Sequence, residues 1–293
     1  MNSRPASPLK SPPLGHLLRA HVSDSLMQAL QQRCVRTGES VSHVVQCALA
    51  AELGLTHHTL FQVSTSTALV QGVYQGCITL EQVLEHGDFG LGTFDSLDGE
   101  GVLFEGVAWH ARSDGSLKQV ALTETTPFWV VTRFDPQDHK SLPVVDGWGS
   151  LCAQLDDLRQ TQNMFVSLCV RGVFEKLHYR VACRAHPGED LVSATSHQAE
   201  FFAENVPGVL VGFWTPDYAR TINVPGYHLH FISDDQTHGG HVLDVRGKDL
   251  VVSWMQDSQI QIALPETQEF MQADLSQDPG AALAKAEKAH DGS

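Results

Sequence analysis

The segment of residues 224–245, VPGYHLHFISDDQTHGGHVLDV, constrains the fold more than any other part of the chain. His228 and His230 alternate within an apolar run, so in a β-strand both side chains lie on the same face. The polar residues SDDQTHGG that follow are typical of a hairpin loop. A hairpin that is symmetric about positions 235 and 236 places His241 directly opposite His230. The sequence therefore predicts three imidazoles on one face of a β-hairpin.

Three convergent imidazoles are the ligand set of a catalytic Zn²⁺ site that keeps one position open for water or substrate. Any one of these histidines alone is more simply explained as a hydrogen-bonded core residue. A slip of one residue in the register would move His241 to the opposite face. His238 falls in the predicted loop and is interpreted as an exposed turn residue. We therefore predict a zinc site formed by His228, His230 and His241.

Length and composition exclude several classes of protein. The 293 residues suffice for about two domains or one large one, and an apolar content of 42% allows a substantial core. A formal charge of −15 repels nucleic-acid phosphate over most of the surface. No run reaches the roughly 18 apolar residues of a membrane span, and the start lacks the apolar stretch of a signal peptide. The six cysteines form no CxxC pair and are expected to be reduced thiols. We expect a soluble, cytoplasmic protein.

Charge separates the first 55 residues, with a net charge of +2, from the remainder, with −17. This asymmetry indicates an appended segment with its own role. Residues 1–15 are rich in proline and serine, and we expect a disordered tail. Residues 16–55 are expected to form a helical extension, and residues 59–290 the body of the protein.

The extension shows two helical patterns with capping residues. Ser23 and Ser40 are natural N-caps, and apolar residues follow each of them at helical spacing. The arrangement resembles the ribbon-helix-helix modules of bacterial repressors. A helical hairpin that dimerises or packs on the body is the simpler interpretation. In such a module the stretch before the first helix is the ribbon that reads DNA bases. Here that stretch offers only Arg19 and His21 as basic side chains.

Strands and helices do not alternate in the body as they do in a parallel α/β sheet, so the pattern favours an α+β fold. We expect two mixed or antiparallel β-sheet subdomains, with the zinc site on a β-hairpin. The predicted elements are a strand or short helix and then a Thr79-capped helix within 65–86, a hairpin of 102–110 with 117–122, a strand at 127–134, a helix at 147–163, strands over 165–265 and a helix over about 266–290.

Three long segments of the body resemble the α-acetolactate decarboxylase family. They are HGDFGLGTFDSLDGE (86–100), GVFEKLHYRVACR (172–184) and LVGFWTPDYARTINVPGYHLHFISDDQTHGGHVLD (210–244). The resemblance implies conversion of 2-acetolactate to acetoin and carbon dioxide, a step of the acetoin/butanediol pathway. It also implies a Zn²⁺ ion on the three histidines, a homodimer and no organic cofactor. The first 55 residues lie outside the resemblance.

The resemblance also implies three further site residues. By motif these are Glu100 at the end of LDGE, Arg180 after the GVF strand, and a glutamate near the C-terminus. The last is assigned to Glu287, with Glu266 and Glu269 as competitors. Arg180 suits the substrate carboxylate, because its planar guanidinium matches a carboxylate bidentately. Glu100 and Glu287 are candidates for the proton donor or for further zinc ligands. The glycines of HGDFGLGTF are expected to form turns that bring Thr93 and Glu100 near the substrate.

Taken alone, each of these groups has an ordinary structural explanation: a turn carboxylate, a surface ion pair, a solvated helix residue. Two other functions also fit parts of the sequence. His-x-His before a hairpin occurs in cupins, so a cupin-like metal oxygenase or isomerase would use the same histidines. Alternatively, the protein is a DNA-binding regulator that senses acetolactate through its body, with residues 16–55 binding the nucleic acid.

Overall fold

The structure is a computed structural model that describes residues 18–53, 58–136 and 138–287, so the predicted tail of residues 1–15 lies outside the described residues. The helices are α1 (Asp24–Thr37), α2 (Val41–Glu52), α3 (Ser66–Val70), α4 (Leu80–Leu84), α5 (Trp148–Asp156), α6 (Leu191–Thr195), α7 (Gln268–Gln272) and α8 (Gly280–Ala286), with short 3₁₀ helices at Asp95–Leu97 and Asp217–Ala219. The strands are β1 (Thr59–Val63), β2 (Ile78–Thr79), β3 (Phe89–Thr93), β4 (Glu100–Phe104), β5 (Val107–Ala111), β6 (Leu117–Gln119), β7 (Thr125–Thr126), β8 (Phe128–Thr132), β9 (Asp138–Asp146), β10 (Phe165–Val181), β11 (Ala199–Thr215), β12 (Gly226–Ser233), β13 (Gly239–Asp257) and β14 (Gln259–Ala263).

The N-terminal helices begin where the sequence predicts. The Ser23 hydroxyl accepts a hydrogen bond from the amide of Leu26, and the Ser40 hydroxyl accepts one from the amide of His43. α1 ends at Gly38, whose φ of +77° suits a residue without a Cβ atom. No residue of α1 is buried, and α2 buries only Val44 and Ala50. The two helices therefore form a hairpin that stands largely outside the core of the body.

The body is α+β and contains two large sheets, as expected. Seven strands pair in the order β14-β1-β8-β3-β4-β5-β6, and five pair in the order β10-β11-β12-β13-β9. All of these pairings are antiparallel except β1 with β14. Because β10 also pairs with β13, the strands β10, β11, β12 and β13 form a closed ring. β2 and β7 make a small third sheet.

The two large sheets share one core, so they are not independent subdomains. One cluster of buried side chains joins Leu60, Phe89 and Val130 of the seven-stranded sheet to Val211 and Phe213 of β11. The rings of Phe89 and Phe213 meet edge to face with centroids 6.2 Å apart. This packing brings β3 and β4 against β11, β12 and β13, and the candidate site lies at that junction.

Three predicted elements are wrong in detail. Residues 102–110 form two strands rather than one, because the chain reverses between β4 and β5 at Glu105 and Gly106, where φ is positive at both residues. The single C-terminal helix expected over 266–290 is instead α7 and α8, since Pro279 immediately before α8 prevents a continuous helix. The helix expected over 147–163 is the shorter α5.

Other expectations are confirmed. Thr79 caps α4 through a reciprocal capping box with Gln82. β8 matches the strand predicted at 127–134. All six cysteines are free thiols. Within the described ranges, no helix combines the length and apolarity needed to cross a bilayer.

Candidate active site

The hairpin of β12 and β13 has the register expected from its sequence. His230 is paired directly with His241, and the pairing continues through Phe231 with Gly240. His228 lies two residues before His230 on β12 and projects to the same face. The ring centroids of His228 lie 4.9 Å from those of His230 and His241, and the latter two are 5.4 Å apart. One ring nitrogen from each histidine falls within 4.8 Å of the other two.

The protonation states of the three histidines suit a metal. Burial lowers the pKa of His228 to about 3 and holds the pKa values of His230 and His241 well below 6.5, so all three are neutral at pH 7. His230 donates from Nδ1 to the carbonyl oxygen of Gly101 over 2.8 Å, which leaves the lone pair on Nε2. The Nε2 atoms of His228 and His230 lie 3.1 Å apart. Two nitrogens on a tetrahedral Zn²⁺ ion would be about 3.3 Å apart. The donor set therefore fits zinc.

Two glutamates lie against the histidines, one beside His230 and the other beside His241. Glu100 is the first residue of β4, and its Oε2 lies 3.5 Å from Nε2 of His230 while its Oε1 accepts a hydrogen bond from the amide of Ala182. Gly99 makes this placement possible, because it adopts a φ of +85° and any Cβ would collide with the carbonyl oxygen of Ala111. Glu287 follows α8, and its Oε2 lies 3.2 Å from Nε2 of His241.

Burial also shifts the pKa values of the two glutamates. It raises the pKa of Glu100 to about 7, against the opposing effect of the nearby Arg180 guanidinium. Burial raises the pKa of Glu287 in the same way, again opposed by Arg180. A carboxyl group with a pKa near neutrality can both hold and release a proton at physiological pH, which is the requirement for general acid–base chemistry.

Arg180 lies on β10 and is only 4% exposed. Its Nη1 donates to Oε1 of Gln198 over 2.7 Å and also to the carbonyl oxygen of Ala286. Its Nη2 lies 3.6 Å from Oε1 of Glu287. The buried Nε of Arg180 has no hydrogen-bond partner among the described residues. The edge formed by Nε and Nη2 therefore carries a carboxylate contact at Nη2 only, and Nε is left to donate to a ligand carboxylate, which such an edge binds bidentately.

These groups line one small cavity of about 50 Å³. The structure thus brings together all six residues named from the sequence: His228, His230, His241, Glu100, Arg180 and Glu287. Thr93 also lines the cavity, and its hydroxyl donates to the carbonyl oxygen of Gly99 over 2.7 Å. The remaining wall is mainly apolar and is formed by Leu69, Leu97, Phe128, Leu191, Val224 and Leu283. Sequence reasoning did not identify this wall, because its members look like ordinary core residues.

The competing C-terminal glutamates lie elsewhere. Glu269 accepts a hydrogen bond from the amide of Gln75 over 3.0 Å, and Glu266 lines a separate groove between Leu264 and Leu275. Of the three candidates, Glu287 alone lines the cavity with the histidines. His238 is exposed in the hairpin loop, as expected.

Comparison with known proteins gives one consistent result. The family model described as Alpha-acetolactate decarboxylase matches residues 60–277. A protein named alpha-acetolactate decarboxylase from Methylococcus capsulatus is 40% identical over 236 residues, which is 80% of this chain and 91% of that protein. One of the same name from Brevibacillus brevis is 36% identical over 75% of this chain and 78% of its own length.

Solved structures agree with the sequence comparisons. The crystal structure of alpha-acetolactate decarboxylase from Bacillus subtilis strain 168 matches with a TM-score of 0.76 at 34% sequence identity. The match covers 79% of this chain and all of the other. The matched family region contains the three histidines, Glu100 and Arg180, whereas Glu287 and the N-terminal hairpin lie outside it.

Proposed function

This chain belongs to the alpha-acetolactate decarboxylase family and is an enzyme, a carboxy-lyase, and from that premise we propose that it converts 2-acetolactate to acetoin and carbon dioxide with Zn²⁺ as its metal. One observation carries the proposal: three neutral imidazoles, an arginine whose Nε has no hydrogen-bond partner among the described residues, and two carboxyl groups of raised pKa line the same cavity. Family membership favours this reaction over a cupin-like oxygenase or isomerase.

We assign the metal to His228, His230 and His241. When bound, Zn²⁺ supplies a Lewis acid that stabilises negative charge developing on the substrate oxygens. The hydrogen bond from His230 to the Gly101 carbonyl supports this assignment, because it fixes the imidazole tautomer and the ring orientation before any ligand arrives.

Arg180 is the group we assign to the substrate carboxylate. Binding on the Nε and Nη2 edge would fix the orientation of the bond between the carboxylate carbon and C2. When that bond breaks, its electron pair moves to the C3 ketone through a new C2–C3 double bond, which gives an enediolate. The carbon dioxide formed is uncharged, so the arginine no longer holds it. The ketone of the substrate is the electron sink, and no organic cofactor is needed.

Protonation at C2 then yields acetoin, and we assign this proton transfer to the pair Glu100 and Glu287. Burial and the raised pKa of about 7 support the role for Glu100, because such a group carries a proton at neutral pH and can still give it up. Glu287 contacts both His241 and Arg180, so it connects the metal side of the cavity with the carboxylate side. The apolar wall excludes water, which would otherwise compete for the enediolate.

We further infer a homodimer, a cytoplasmic location and a place in acetoin formation. The support for these three is the family resemblance and the sequence composition. The helical hairpin of residues 18–53 is suited to pair across subunits, since apolar residues such as Leu26, Val35 and Leu53 are exposed on it.

The test is acetoin formation from racemic 2-acetolactate under nitrogen. Purified protein would be assayed after zinc loading, after chelation and after zinc is restored, alongside a His230→Ala variant. We expect acetoin and carbon dioxide in equal amounts from the zinc-loaded and restored samples, with neither formed by the chelated protein or the variant. Absence of acetoin from folded, zinc-loaded protein would refute the proposal. A requirement for oxygen would point to the oxygenase instead.

A further inference from the structure

We propose that Gln198 is a positioning residue that holds the Arg180 guanidinium with its Nε and Nη2 edge toward the substrate carboxylate. The inference rests on the proposed function, because it concerns the group that binds the carboxylate. Gln198 is partly buried and does not line the cavity, so it acts through Arg180 rather than on the substrate.

The pairing of β10 with β11 places Gln198 at the arginine. Arg180 on β10 is paired with Glu200 on β11, and Gln198 lies two residues earlier, immediately before that strand. Residues two apart in an extended chain project to the same side, so Gln198 and Glu200 both reach toward the arginine and its neighbours. The Nη1 atom of Arg180 donates to Oε1 of Gln198 over 2.7 Å.

The neighbours of Gln198 allow only one orientation of its amide. Its Nε2 donates to Oε1 of Glu200 over 2.9 Å, and a carboxylate can only accept. The guanidinium of Arg180 can only donate, so the amide oxygen must face the arginine. Glu200 is itself held, because its Oε2 lies 2.8 Å from Nε2 of His178. The ring of His178 stacks on Phe202 with centroids 4.2 Å apart. A series of side-chain contacts therefore connects Phe202, His178 and Glu200 with Gln198 and the arginine.

This arrangement decides which edge of the guanidinium is left for a ligand. Nη1 is occupied by the oxygens of Gln198 and Ala286, which leaves Nε and Nη2. Without Gln198, Nη1 would keep only the Ala286 carbonyl, and the guanidinium would be free to move closer to Glu287, which already lies 3.6 Å from Nη2. A neutral amide also leaves the positive charge of Arg180 available to the substrate, whereas a carboxylate at this position would neutralise it. Gln198 is therefore suited both to orient the arginine and to preserve its charge.

The experiment compares two ligands on zinc-loaded protein by titration calorimetry. One is 2-hydroxy-2-methylpropanoate, which carries the carboxylate but has no ketone and cannot lose carbon dioxide by this route. The other is acetoin, which lacks the carboxylate. In Gln198→Met we expect the Kd of the carboxylate ligand to rise about tenfold or more, as for loss of a hydrogen bond to a charged group, and the Kd of acetoin to stay within about twofold. With 2-acetolactate as substrate, kcat/KM should fall by a similar factor.

The control is Gln154→Met. Gln154 is a glutamine whose amide bonds the carbonyl oxygens of Val144 and Ser150, and it does not line the cavity. The Gln154→Met substitution should leave the dissociation constants of both ligands unchanged. Gln198→Leu repeats the test with a second apolar side chain in case the methionine variant does not fold. Equal weakening of both ligands would show a purely structural role and overturn the inference, as would unchanged binding of the carboxylate.

The two proposals fail in different ways. Wild-type protein that binds the carboxylate ligand about tenfold more tightly than Gln198→Met but makes no acetoin would refute the proposed function and leave the positioning role standing. Wild-type protein that makes acetoin while Gln198→Met retains full carboxylate affinity and kcat/KM would refute the positioning role alone.

Discussion

Glu100 and Asp257 are both buried carboxyl groups, and burial raises the pKa of each to about 7, yet their surroundings differ. Glu100 faces His230, the Arg180 guanidinium and a cavity. Asp257 lies at the end of β13, where Ser167 donates to its Oδ2 over 2.5 Å and Thr132 lies 3.1 Å from its Oδ1. A shifted pKa alone therefore does not distinguish a catalytic group from a structural one. The distinguishing features of Glu100 are the open cavity and the charged partners.

The hydrogen-bond partners of Asp257 explain how the protein can bury this carboxyl group. The single hydroxyl hydrogen of Thr132 has two acceptors within reach, Oδ1 of Asp257 and the carbonyl oxygen of Thr59 at 3.0 Å. If Asp257 is protonated, it donates to Thr132, which then donates to Thr59, and every group is satisfied. In its protonated form, Asp257 of β13 thus links β10 to the last residue of β8 through hydrogen bonds. Its role is to join the two large sheets.

A large effect is expected on the cavity side of this comparison. Arg180→Leu removes the positive charge that faces Glu100 and Glu287, together with the proposed partner for the substrate carboxylate. Loss of a buried charge partner costs about 2–5 kcal/mol, so kcat/KM should fall by at least about thirtyfold. Steady-state kinetics with 2-acetolactate would measure it, with thermal unfolding as the control for folding. An activity near the wild-type value would remove the arginine from the site.

On the structural side, Asp257→Leu should affect stability and leave catalysis unchanged. The substitution leaves the fully buried hydroxyl of Ser167 without its acceptor, which costs about 2 kcal/mol. Denaturant unfolding at pH 5 would report this loss, and kcat/KM of the remaining folded enzyme should stay within about twofold of wild type. A variant that is stable but inactive would place Asp257 among the functional groups and break the comparison.

The pH dependence of stability gives a more specific signal. Folded Asp257 holds its proton up to about pH 7, whereas the ordinary pKa of 3.8 describes the unfolded chain. Between these values the folded state binds more protons, so the free energy of unfolding falls as pH rises, by at most about 4 kcal/mol from this group. Asp257→Asn should remove that part of the slope. Chemical unfolding of both proteins between pH 4 and 8 would measure it. Identical slopes would contradict the assigned protonation state.

The register of the β12–β13 hairpin is predictable from the sequence because it is a local property. Only ten residues separate His230 from His241, and the turn between them fixes which residues face each other. The same reasoning failed for residues 102–110, since the reversal at Glu105 requires an unfavourable positive φ for a glutamate. Local signals also located the caps of the N-terminal helices.

Long-range contacts set the limit of what the sequence predicts. The role of Gln198 depends on β10 meeting β11, and the Ala286 carbonyl reaches Arg180 only because α8 folds back over the site. Neither contact leaves a periodic signal in the sequence. The shared core of the two sheets is equally non-local, since Phe89 and Phe213 are far apart in the chain. The motifs predict the six candidate site residues that line the cavity, whereas the residues that support them are evident only from the fold.

The most direct test of the account compares Glu100→Gln with Asp257→Asn in one set of measurements. Each change replaces a buried carboxyl group of raised pKa by an amide of the same shape. Glu100→Gln should reduce acetoin formation by about 10²–10⁴-fold, the usual loss for an acid–base group, while the protein stays folded. Asp257→Asn should retain wild-type acetoin formation. Full activity in Glu100→Gln, or loss of activity in folded Asp257→Asn, would contradict the account.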